Sequence, residues 1–89
     1  MLIDEAIEIL TEKATKLLLD KRVTFELKSE FINQLTQVRE KAEELHRKTS
    51  ISLESWEKGL KLRVLADFVF QAEEEVAIKR YGSRSVAQP

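Results

Sequence analysis

Apolar residues recur at alternating steps of three and four in three separate stretches of this chain. The first runs through Ile3, Ile7, Leu10, Ala14 and Leu17, and the second through Phe31, Leu35, Val38, Ala42 and Leu45. The third runs through Leu62, Leu65, Val69, Ala72 and Val76. Such spacing puts side chains on one stripe of an α-helix, so each stretch offers a seam to another helix. The pattern predicts an all-α fold: a small antiparallel helical bundle of three long helices.

The first helix is expected from Ile3 to about Lys21, with Asp4 and Glu5 against the positive end of its dipole. Val23-Thr24-Phe25-Glu26-Leu27 is the one stretch where apolar and polar residues alternate. It reads either as an extended connector or as a helix already begun with Thr24 as its cap. The helix is favoured, because a strand needs a partner and no second alternating run exists. The second helix then continues to about Arg47. Lys48 to Ser52 reads as the main interhelical loop, with Ser52 as the next N-cap.

The third segment carries two stripes. Leu53, Trp56, Leu60 and Val64 form one, and the seam through Leu65 and Val69 forms the other, on a nearly opposite face. Gly59 sits between them, where a break is least costly. Residues 52–81 are therefore either a helix broken or kinked near Gly59, or one continuous helix serving two neighbours. Gly82 is a natural C-terminal stop, which makes residues 1–81 a single helical domain and 82–89 a flexible C-terminal tail.

Three seams do not use all the apolar residues. Leu2, Ile9, Leu19, Phe25, Ile32, Trp56, Phe68, Phe70 and Ile78 fall outside them. Part of this surplus widens the core face of each helix. The rest points to a second contact surface, and so to a bundle completed by oligomerisation or by a partner. Leu53, Trp56, Leu60, Phe68 and Phe70 are the expected partner-binding residues. Trp56 has two readings: a binding anchor of large area, or a cap beneath the Lys48–Ser52 loop.

Composition narrows the classes. At 89 residues, 43% hydrophobic and 35% charged, the chain is one small folded domain, too apolar for disorder and too charged for a membrane span. Its start has no basic region followed by an apolar core, so no secretory signal is expected. Cysteine is absent, which excludes disulfides and thiolate metal sites and fits a cytoplasmic setting. A net charge of −1 gives no general attraction to nucleic acid or anionic lipid.

Candidate chemistry is sparse. His46 is the only histidine, and it reads as a solvated residue near the negative end of a helix dipole rather than a proton carrier. Glu73, Glu74 and Glu75 point to different helix faces and do not converge on one ion. Asp67 lies in the most apolar stretch but shares a polar face with Arg63, and a surface pair between them is expected. No phosphate loop, cation loop or nucleophile motif appears, so neither cofactor nor metal is expected. Lys79, Arg80, Tyr81 and Arg84 form a basic end with one aromatic, a candidate nucleic-acid contact.

The leading expectation is a non-enzymatic protein–protein interaction module, cytoplasmic, pairing with itself or with a larger protein. A nucleic-acid-associated regulator using the basic C-terminal end is the alternative. In length and helix order the chain also resembles the small helical chorismate mutases, which are three-helix chains in intertwined dimers. That resemblance implies an enzyme whose cationic side chains, including an arginine in the first helix, hold a dicarboxylate. Here the first helix carries Lys13 and Lys16, and no arginine precedes Arg22.

Overall fold

The structure is a computed structural model that describes residues 2–81. Four helices follow one another: α1 (Ile3–Leu18), α2 (Phe25–Thr36), α3 (Val38–Lys48) and α4 (Leu53–Tyr81). The expected all-α bundle is present, but the second long helix is two. The tail 82–89, with Arg84, lies outside the described residues.

The division at Gln37 has a local cause. The Thr36 hydroxyl donates to the Asn33 carbonyl at 2.8 Å. The Gln37 amide, which would take that carbonyl in a regular helix, turns to Gln34 O at 3.2 Å instead. A side chain has displaced a backbone donor, and the ladder tightens for one residue. Periodicity ran unbroken through this point because the apolar positions do keep their spacing across it.

α1 also stops earlier than Lys21. Asp20 accepts from the Arg22 amide at 2.9 Å through its side chain and closes a turn instead of extending the helix. Val23, in that connector, is buried. Thr24 caps α2 as expected, its hydroxyl accepting from Leu27 N at 3.3 Å. Ser52 caps α4 in the same way, accepting from Ser55 N at 3.1 Å.

α4 is one helix of 29 residues, continuous through Gly59. A rise of about 1.5 Å per residue makes it about 43 Å long, which sets the 48 Å long dimension of the molecule. It is the central element. α1 lies parallel to it, with Asp4 paired to Lys58 at one end and Arg22 O accepting from Lys79 Nζ at the other. α2 and α3 run back antiparallel, through Thr24 beside Glu75, Phe31 on Phe68 and Arg39 beside Glu57. The result is an up–down–up bundle in which the descending arm is bent.

The core gathers Ala14, Val23, Phe31, Leu65, Phe68, Val69 and Ala72, with Ile7, Leu10, Leu17, Leu27, Leu35 and Val76 packed around them. At its centre the Phe31 and Phe68 rings stack at 4.2 Å between centroids. Phe68 is only 2% exposed. It is therefore core rather than the surface residue expected, because α2 covers the α4 face that lies between the two apolar stripes. Ala14, Ala42 and Ala72 are buried where helices meet, and their small side chains let the backbones approach.

Candidate functional site

Of the surplus apolar residues, Leu2, Ile9, Leu19, Phe25, Ile32 and Phe70 remain exposed, whereas Trp56 and Ile78 are half-buried. Phe25 and Ile32 lie on α2 and Phe70 on α4, whereas Ile9 lies on α1 and Leu2 and Leu19 flank its two ends. On α2, Phe25 (79% exposed) and Ile32 project outward with Ser29 and Thr36 between and beyond them. Spacings of four, three and four keep these residues on one stripe. Together with Lys28 and Asn33 they line a shallow groove. On α4, Phe70 (69% exposed) points away from the core two residues after buried Phe68.

Leu53, Trp56 and Leu60 are half-buried on the side of α4 facing α3. The Trp56 indole N–H donates to Thr49 Oγ1 at 2.8 Å, and Thr49 in turn donates to Leu45 O at 3.0 Å. His46 Nδ1 donates to Ile51 O at 2.8 Å. Trp56 and His46 thus both tie down the α3–α4 loop. This is the cap geometry for Trp56, with its one polar atom already engaged.

A cleft of about 570 Å³ opens where the bent arm leaves α1 and the first third of α4. Asp4 and Ile7 line it from α1, Leu35, Thr36, Val38 and Arg39 from the bend, and Glu54, Glu57, Lys58 and Lys61 from α4. Its charges largely answer one another. Lys58 sits 3.0 Å from Asp4 and 3.4 Å from Glu54, and Arg39 sits 3.4 Å from Glu57. Hydrogen bonding to Asp4 raises the Lys58 pKa, which holds the ammonium charged. The cations of the cleft come from α3 and α4. α1 contributes Asp4 and Ile7 and no cation, unlike the arginine that the chorismate mutase resemblance implies.

The basic end is larger than its sequence signature. Lys79 Nζ reaches Arg22 O at 2.8 Å, which brings Lys21 and Arg22 beside Lys79 and Arg80. Lys28 Nζ joins through Asp20 O at 2.8 Å, and the Arg80 guanidinium lies 5.8 Å from the Tyr81 ring centre. Two nearby carboxylates are engaged locally. Asp20 holds Arg22 at 2.8 Å, and Glu75 accepts from the Thr24 amide at 2.8 Å. The Arg22 hydrogen bonds pull the Asp20 pKa down to about 2. Only the C-terminal part of this cluster was readable in sequence, because a fold contact joins its halves.

The expected Arg63–Asp67 pair does not form. Both residues are exposed, and among the described residues Arg63 has no partner. No helix of the described residues is long and apolar enough to cross a membrane. Comparison with family models, with curated proteins and with solved structures finds no match to this chain.

Proposed function

We propose that this protein is a non-enzymatic helical interaction module, a dimerising adaptor, assembly factor or inhibitor that acts by burying an apolar helix face. One observation carries the reading. The bundle closes a full core around Phe31 and Phe68, yet large apolar side chains remain uncovered at regular helical positions outside it, above all Phe25 and Ile32 on α2 and Phe70 on α4. Uncovered helical stripes suit the helix-in-groove and helix-on-helix modes of recognition.

The test is affinity capture from a lysate with the wild-type chain and with Phe25→Asp combined with Ile32→Glu. Both positions are exposed, so the melting temperature should hold within a few degrees. A specific protein retained by the wild type and lost by the variant supports α2 as a docking face. Identical retention by both overturns that assignment.

A second reading rests on the clustering of Lys21, Arg22, Lys28, Lys79 and Arg80 at one end, beside Tyr81. Such an end suits phosphate contacts with a stacking aromatic. Binding of a labelled single-stranded oligonucleotide at rising salt decides it. A steep loss of affinity with salt, and a further loss in Lys79→Glu with Arg80→Glu, are its expected signs.

A further inference from the structure

The bend of the descending arm opens a second hollow, on the other side of α3 from the cleft. Arg39 lines the cleft, and Lys41, two residues and so about 200° further round the helix, lines the second hollow. It is a groove of about 280 Å³ between the bent arm and α4. Buried Val38 and half-buried Leu60 and Val64 form its apolar floor, and exposed Lys41, Arg63 and Asp67 stand along its rim.

The charges of the groove differ from those of the cleft. In the cleft, Asp4, Glu54 and Glu57 are all paired with Lys58 or Arg39. In the groove, none of Lys41, Arg63 and Asp67 takes part in an ion pair among the described residues. Arg63 and Asp67 are one turn apart, the spacing at which opposite charges meet on a helix. Arg39 and Glu43, with the same spacing and the same order of charge, do meet at 3.5 Å, and Glu54 and Lys58 at 3.4 Å. Arg63 and Asp67 are thus two opposite charges held apart on one rim.

Unpaired charges of both signs around an apolar floor restrict what fits. A bare anion would meet Asp67, and a bare cation would meet Lys41 and Arg63; like charges so placed are costly. A molecule carrying both charges answers all three side chains. Its carboxylate would lie toward Lys41 and Arg63, its ammonium toward Asp67, and its apolar part on Val38, Leu60 and Val64. Ligand pockets usually begin at about 300 Å³, so the occupant is small. We propose that this groove binds a free amino acid with an apolar side chain.

Titration of the isotope-labelled full chain with L-leucine, read from its amide NMR shifts, tests the site. N-acetyl-L-leucine, which keeps the carboxylate and lacks the ammonium, and L-leucinamide, which does the reverse, are the companion probes. Saturable shifts are expected at Lys41, Arg63 and Asp67. L-leucine should bind about tenfold more tightly than either companion, the effect of one lost charged hydrogen bond. Arg63→Gln should weaken L-leucine by a similar factor and remove its advantage over L-leucinamide. Asp67→Asn should remove its advantage over N-acetyl-L-leucine. Both positions are exposed, so the variants should keep the wild-type helix content.

Absence of saturable shifts at these residues in the wild type overturns the site. Equal binding of all three probes overturns the pairing of charges, as do variants that bind L-leucine like the wild type. Tighter binding of N-acetyl-L-leucine than of L-leucine would make the groove an anion site and overturn the role of Asp67. The groove contains neither Phe25 nor Ile32, so this proposal and the interaction-module reading fail separately.

Discussion

Phe68 and Phe70 stand two residues apart in one helix and have opposite fates. A step of two turns a helix by 200°, so one ring enters the core and stacks on Phe31 while the other faces solvent. Phe68→Ala should cost about 3–5 kcal/mol, the effect of a large cavity. In a domain this small, that is most of the stability. Phe70→Ala should change little, and urea titration of the two variants separates them. Asp20 gives a prediction of another kind. Its folded pKa lies near 2, below the ordinary 3.8, because Arg22 stabilises the carboxylate. The contribution of this pair is therefore fully present above about pH 4 and is lost as pH falls toward 2. A carboxyl NMR titration should show a midpoint near 2, and Arg22→Ala should return it toward 3.8.

The helix boundaries follow from short-range competition for backbone hydrogen bonds. Thr24 caps α2 and is also held by Glu75, whose carboxylate accepts from the Thr24 amide at 2.8 Å and from its hydroxyl at 3.2 Å. Thr24→Ala should therefore cost about 1–2 kcal/mol in denaturant unfolding, the upper part of the usual range for a lost cap. Gly59 behaves differently from its usual role as a breaker. It lies inside α4, exposed, and an added Cβ would meet nothing within 4 Å. Gly59→Ala should accordingly raise the stability of the monomer by about 1 kcal/mol, seen as a higher urea midpoint with an unchanged slope. Loss of stability would mean that the helix needs flexibility at this point.

For the molecule as a whole, α4 is the element on which every other helix rests. The two stripes of its sequence have low amphipathicity when taken together, because α1 occupies one side and α3 another, with α2 between them. Charge also sorts along the rod. The end bearing Lys21, Arg22, Lys79 and Arg80 is basic, while Asp4, Glu54 and Glu57 meet their cations at the cleft near the other end. Ion pairs this exposed are screened by salt, so the melting temperature should fall only slightly between low salt and 0.5 M. A large fall would show that the cleft pairs hold α1 to α4.

The seams, the Thr24 and Ser52 caps and the continuity of an all-α chain were legible in the sequence, because helix periodicity and capping are written in residues three or four apart. The break at Gln37 was present only as a threonine within an otherwise regular pattern. In the structure its hydroxyl, and not the Gln37 amide, takes the Asn33 carbonyl, a competition that apolar spacing does not record. The sequence also marked more apolar residues than three seams need. Only the tertiary structure divided them, burying Phe68 under α2, giving Trp56 to the α3–α4 loop and leaving Phe25, Ile32 and Phe70 outside. Local pattern determines which side of a helix is apolar; which apolar side is covered depends on neighbours brought from elsewhere in the chain.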